Sequence, residues 1–367
     1  MMVKNIIKQM YKLAPPYLID SWDNSGLQIG RENKEVKTIL LALDLTPNVI
    51  KQAVSNNVNM IITHHPMLFK KIGSITTNDV KGKMIYDIIN NDMVVFSAHT
   101  NLDVCENGVN DVLAQKLGLL NTEVLRKSYE EKLYKLTVYV PKGHADKVRR
   151  AITEAGGGWI GNYSHCTYNL NGIGTFMARE NTNPFIGEQN RIEEVEEIRI
   201  ETIVKHSILD TVINAMIDAH PYEEVAYDVY PLINRGIEYG YGRVGNLEKE
   251  TDLKTFVELV KTEFKCDSVR IYGDLNKKIK RVAVCGGSGG DFIADAKRKR
   301  ADVYITADIK YHDAQLMQEL DIALIDANHY DTEKVILPYL KEYLQNNLDS
   351  KVKILISDDN SAPFTVK

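Results

Sequence analysis

Val58-Asn59-Met60-Ile61-Ile62-Thr63-His64-His65-Pro66 decides how this chain is read. The apolar run up to Thr63 has the length and β-branched content of a buried strand, and the two imidazoles come where that strand ends. Two further segments repeat the pattern. His99 and Asp103 follow Val94-Val95-Phe96-Ser97, and His329 and Glu333 follow Ile322-Ala323-Leu324-Ile325-Asp326. If a helix starts at His329, the spacing of four puts both side chains on one face. Open α/β sheets bind ligands just beyond the carboxyl ends of their strands, so the three segments read as one crevice with a shared metal site. Taken singly, His64-His65-Pro66 is also compatible with a solvated turn, and His329 with Glu333 with a surface pair. His99 reads either as a ligand or as a residue that orients one. Imidazole and carboxylate together suit Zn, Mn, Fe, Co or Ni.

Outward from these segments the chain is α/β. Strand 38–43 is followed by a helix that Thr46 caps and Pro47 opens, then by the His-pair strand, a helix over 79–90 and the strand ending near Ala98. Such alternation implies right-handed crossovers and a mostly parallel sheet. Around residue 129 the pattern changes. Strand 132–140, helix 145–155, a strand and turn stretch to about 179, strand 191–204, helix 207–219 and strand 225–230 give the order β-α-β-β-α-β of a ferredoxin-like unit. From about 240 the parallel pattern resumes, with strands 281–285, 302–306, 321–326 and a closing strand 352–357. The expected fold is therefore two mostly parallel α/β halves, 1–128 and 236–367, forming one metal-binding unit interrupted by an inserted α+β domain at 129–235.

The 367 residues predict two or three domains, and 44% hydrophobic with 26% charged residues is ordinary for a soluble protein. A formal net charge of −5 argues against a protein built around nucleic acid. The basic run Lys297-Arg298-Lys299-Arg300 is expected to cap the carbonyl end of a helix. Cys105, Cys166, Cys266 and Cys285 have neither zinc-ribbon nor disulfide spacing, which fits a reducing compartment. No segment reads as a signal peptide or a membrane span, so a cytoplasmic, membrane-free protein is expected.

Three other features bear on chemistry. Gly286-Gly287-Ser288-Gly289-Gly290 reads as a tight turn or a phosphate-approaching loop, without the Walker or dinucleotide pattern. Asp308 and His312 follow a strand-like run and are candidates for acid–base catalysis, or else a helix cap and an exposed histidine. Trp22-Asp23-Asn24-Ser25-Gly26-Leu27 reads as a pocket wall or a hairpin turn.

Together, Trp22-Asp23-Asn24-Ser25-Gly26-Leu27, Thr63-His64-His65-Pro66, His99-Thr100-Asn101-Leu102-Asp103, Thr306-Ala307-Asp308-Ile309-Lys310-Tyr311-His312 and Asp326-Ala327-Asn328-His329-Tyr330-Asp331-Thr332-Glu333 resemble the signature set of the GTP cyclohydrolase I type 2 homologue family, also called NGG-interacting-factor-three-like. The middle segment, ending in His220-Pro221-Tyr222-Glu223-Glu224, resembles the PII-like or CutA-like module of longer bacterial members. The resemblance implies a dinuclear centre with His64, His65, Asp103, His329 and Glu333 as ligands to two divalent transition-metal ions, zinc foremost. It also implies a toroidal homohexamer and, from the name, opening of the guanine ring of GTP. A metal-dependent hydrolase of a nucleotide or related small molecule is the first expectation. A metal-binding regulatory or scaffold protein with a ligand-sensing insert is the second. For phosphate contacts the candidates are Arg243, Lys310 and the Gly286 loop.

Overall fold

The computed structural model describes residues 1–364. The chain forms two compact units: Met1–Tyr129 together with the chain from Tyr239 onward, and Glu130–Glu238 between them.

The first unit holds two sheets, each with a parallel centre and an antiparallel edge. In the five-stranded sheet the order is Gly26–Ile29, Val94–Ser97, Met60–Thr63, Thr38–Ala42 and Lys353–Ile356, with only Gly26–Ile29 antiparallel to its neighbour. Its inner strands are buried on both faces, which is why they read as unbroken apolar runs. Leu40, Ile61 and Val95 lie in register and pack under helices Pro47–Ser55 and Val80–Asn90. The alternate residues face the other way, where Tyr11 of helix Val3–Leu13 meets Phe96 edge to face. Thr46 caps its helix as expected, accepting from the Val49 amide at 3.1 Å.

The six-stranded sheet runs Arg270–Tyr272, Ala323–Asp326, Val303–Ala307, Lys278–Ser288, Glu238–Asp252 and Leu120–Glu130, with the second to fourth parallel. Two details differ from the sequence reading. The closing strand Lys353–Ile356 extends the first sheet rather than the second, pairing Ile354 with Ile39. Leu120–Glu130 joins the second sheet. Each sheet is thus completed by a strand from the other part of the chain, because a strand's apolar pattern sets which face it buries and leaves its neighbour to non-local packing. After Ala323–Asp326 the chain forms the short helix His329–Glu333 and then the helix Ile336–Asn347.

In the unit Glu130–Glu238 an antiparallel sheet has the order Thr167–Met177, Ile192–Lys205, Leu133–Pro141, Tyr227–Pro231. Helices Ala145–Glu154 and Leu209–Ala219 cover one face, burying Val138, Ile200, Val148 and Val212 in a core of its own. At the point where this unit leaves the first, the rings of Tyr129 and Tyr239 lie 6.2 Å apart. Replacing residues 130–238 by a short flexible linker is therefore expected to leave a folded, soluble first unit with a cooperative thermal transition. An insoluble product would show that the excised residues contribute to its core.

Candidate metal centre

The ligand-type residues sit at the carboxyl ends of both parallel sheets. Thr63 ends its strand, and the turn after it is tied down by the His64 amide bonding Leu43 O at 3.2 Å and the His65 amide bonding the same oxygen at 3.0 Å. The Thr63 hydroxyl meets Ser97 Oγ at 2.8 Å and donates to His65 O at 2.9 Å. His99 is the residue before helix Thr100–Val104, so Asp103 comes one turn inside it. Asn328, left-handed at φ 62°, turns the chain into helix His329–Glu333, whose i, i+4 spacing gives both side chains one face.

These side chains converge. His64, Asp103 and Glu333 bring their ligand atoms within 4.8 Å of one another, as do His65, His329 and Glu333, so Glu333 belongs to both groups. His65 Nε2 lies 3.0 Å and His329 Nε2 3.1 Å from Glu333 Oε2, while His64 Nε2 is 3.8 Å from Glu333 Oε1 and 3.5 Å from Asp103 Oδ1. A third group, His64, His65 and His99, places His99 at the same centre.

All four imidazoles are held by Nδ1. His64 bonds Ala98 O at 2.8 Å, His65 Asp44 Oδ1 at 2.8 Å, His99 Asp23 Oδ1 at 2.9 Å and His329 Asp308 Oδ2 at 2.7 Å. Each partner is an oxygen acceptor, so Nδ1 carries the proton and the Nε2 lone pair of the neutral ring points inward. Buried lone pairs facing carboxylates repel one another unless protons or cations lie between them. His64 Nε2, Asp103 Oδ1 and Glu333 Oε2 are indeed buried without a hydrogen-bond partner. The donor set therefore fits divalent transition-metal ions.

Protonation follows the same logic. Burial raises Asp103 well above the usual carboxylate range, and the charge of Glu333 adds to this. For Glu333, burial is outweighed by its contacts with His329, His64 and His65, which hold it well below that range. Burial lowers His64. For His65 burial is overcome by Asp44 and Glu333, raising it to about 10, and for His329 by Glu333 and Asp308, raising it to about 9. The metal-free centre thus carries protons at pH 7 that metal ligation must displace. Zinc loading is expected to release protons, and the apparent affinity to fall as pH drops through about 10 and about 9, where His65 and His329 take up protons. Titration calorimetry in buffers of different ionisation enthalpy measures this, and an affinity unchanged between pH 6 and 9 would contradict it.

Asp308 reaches the centre as the partner of His329. His312 does not. Its Nδ1 pairs with Gln315 Oε1 at 3.0 Å on an exposed helix face, outside the converging groups, because the helix that starts at Tyr311 turns it away. Arg243 is buried and fully engaged by Asp111, the Gly240 and Gly242 carbonyls at 2.9 Å and Cys105 O at 3.2 Å, so it fixes the core instead of a phosphate. Lys310 is exposed. Gly287, at φ 63°, forms the wall behind Glu333: a Cβ there would stand 2.2 Å from Glu333 Oε1 and 3.3 Å from His329 Nε2. Trp22 is 58% exposed and flanks His99, their rings 6.0 Å apart. Asp44 is not among the residues singled out in the sequence, whereas Asp23 lies in the stretch read as a pocket wall or hairpin turn and Gly287 in the loop read as a tight turn or phosphate approach. Asp44 lies just past Thr38–Ala42, so the strand-end rule that found the histidines reaches it too. Beside the cluster opens a cavity of about 710 Å³, lined by Asp44, His65, Asp308, His329, Lys265 and Ser361 among others.

Two α/β sheets whose strand ends gather histidines around one buried glutamate define a candidate metal-binding protein. The profile of the Duf34/NIF3 (NGG1p interacting factor 3) family matches residues 1–363, and the chain belongs to that family. A Bacillus subtilis protein named "GTP cyclohydrolase 1 type 2 homolog" is 42% identical over 365 residues, covering 99% of this chain and 98% of the relative. The crystal structure of a Bacillus cereus protein related to NIF3 superposes with a TM-score of 0.94 at 43% identity, covering 100% of this chain and 99% of that one. Staphylococcus aureus protein SA1388 gives a TM-score of 0.78 at 31% identity, with coverage of 100% and 99%. Among the described residues no helix is long and apolar enough to cross a membrane.

Proposed function

We propose that this chain is a dinuclear metal-dependent hydrolase of a nucleotide or related small molecule. His64, Asp103 and Glu333 would hold one divalent ion, and His65, His329 and Glu333 the other, zinc foremost and with His99 alongside. The observation that carries the reading is the buried Glu333 shared by two ligand groups, among whose inward atoms His64 Nε2, Asp103 Oδ1 and Glu333 Oε2 lack partners. Bound divalent ions supply Lewis acidity and make a water more acidic. The chain's own residues do the rest. Ala98 O, Asp44, Asp23 and Asp308 fix the four rings, Asp308 is placed to share a proton with His329, and the adjoining cavity offers room for a substrate. The name of the Bacillus subtilis relative supports a purine nucleotide. In the same reading the metal-binding unit consists of two α/β halves with a ferredoxin-like, PII-like insert, and it works as a cytoplasmic toroidal homohexamer.

The second reading, a metal-binding regulator or scaffold with a ligand-sensing insert, is favoured by one feature. The insert has its own cavity of about 850 Å³, walled by Tyr139, Phe176, Phe185, Arg199 and Tyr222. Turnover of a nucleotide panel, with metal content measured on the same samples, separates the two. The hydrolase reading expects turnover that Asp308→Asn reduces and that His312→Gln leaves near the parent, since His312 faces away. Fully loaded protein that turns over nothing across nucleotides, phosphoesters and amides would favour the regulatory reading.

A further inference from the structure

We propose that residues 357–364 are part of the metal centre, with the Ser361 hydroxyl positioning His65 through Asp44. The inference rests on the dinuclear reading above and concerns what holds one of its ligands. Strand Lys353–Ile356 ends its ladder with the Ser357 amide bonding Leu41 O at 2.8 Å. The chain then turns along the cavity beside the cluster, and Asn360, Ser361 and Ala362 line it. The Ser361 hydroxyl donates to Asp44 Oδ2, Asp44 Oδ1 meets His65 Nδ1 at 2.8 Å, and His65 Nε2 lies 3.0 Å from Glu333 Oε2.

With both oxygens engaged, the Asp44 carboxylate cannot rotate, and the imidazole it holds is fixed with it. The segment is itself pinned to the helix start that follows Asp44 and to the helix that bears His329. Asp359 accepts from Thr46 Oγ1 at 2.6 Å and Asn48 Nδ2 at 3.2 Å on one side, while its carbonyl accepts from Tyr330, the residue after His329, at 3.2 Å on the other. These bonds add nothing to either sheet ladder. Their common effect is to hold Asp44 and the start of the His329 helix. Outer partners of metal-ligating histidines are worth about 10 to 100-fold in metal affinity, and linkage requires that a metal favoured by this segment also orders it.

The test titrates zinc into the metal-free 367-residue chain as parent, Ser361→Ala and Ser361→Thr. We expect two ions in the parent. Ser361→Ala should weaken one of them about tenfold, leave the other unchanged and shift the visible absorption bands of the cobalt-loaded protein, and Ser361→Thr, which keeps a hydroxyl, should restore both. Amide exchange over 357–364 should slow on zinc addition in the parent and less so in Ser361→Ala. Should Ser361→Ala fail to fold, Asn48→Ala, which loosens Asp359 from the exposed side, carries the same expectation. A parent that binds two ions, with variants of unchanged affinity and cobalt spectrum, overturns this inference alone. A parent that does not bind two ions overturns the dinuclear reading and this inference with it.

Discussion

Glu333→Ala is expected to remove both ions at once and with them the stabilisation that metal gives the fold. Glu333 is 4% exposed and is the one residue common to the His64–Asp103 and His65–His329 groups. Losing an outer partner costs about 10 to 100-fold in affinity, so loss of a shared ligand should exceed roughly 100-fold at each position. An ion present at about 1,000 times its Kd stabilises the folded state by about 4 kcal/mol. For a unit of this size that raises the thermal midpoint by roughly 8–16 °C. The parent should show such a rise on zinc addition and Glu333→Ala almost none. His99→Ala, which removes neither group containing Glu333, should show most of it. An equal zinc-induced rise in parent and Glu333→Ala would place the metal elsewhere.

Gly287→Ala is expected to be the most damaging single-methyl change near the centre. The left-handed backbone alone costs an alanine roughly 1–2 kcal/mol. The methyl would also stand 2.2 Å from Glu333 Oε1, well inside van der Waals contact. The backbone cannot retreat, because the Gly287 amide donates to Thr332 Oγ1 at 3.0 Å and its carbonyl accepts from Thr306 Oγ1 at 3.1 Å. Glu333 must therefore move off the position its three histidines share. Denaturant unfolding should show the stability loss and zinc titration a drop in affinity of at least about tenfold. Gly286→Ala is the comparison, because its Cβ would meet Val109 and Leu113 rather than a ligand. Parent-like zinc binding in Gly287→Ala would show that Glu333 has more freedom than this packing allows.

The ligand-type residues are legible because two-faced burial makes these strands continuous apolar runs, so that a histidine pair or a His-x-x-x-Glu stands out where the run stops. Asp44 obeys the same rule, but the helix start at Thr46-Pro47 accounts for the local sequence without it. Gly287 was legible as a turn glycine, but the carboxylate behind it comes from residue 333, far along the chain. The fate of Arg243 and His312 was hidden for the complementary reason. A guanidinium that satisfies buried carbonyls and an imidazole that turns outward look the same in sequence as one that reaches a substrate. Strand partners were the least legible of all. Nothing local in Lys353–Ile356 says that it lies beside Thr38–Ala42, and that pairing is what carries Ser361 to Asp44.

The dinuclear claim is tested most directly by elemental analysis of the purified, zinc-reconstituted chain beside Glu333→Ala. The account predicts two equivalents of metal per chain in the parent and close to none in the variant. One equivalent or none in the parent, or unchanged occupancy in Glu333→Ala, would contradict it.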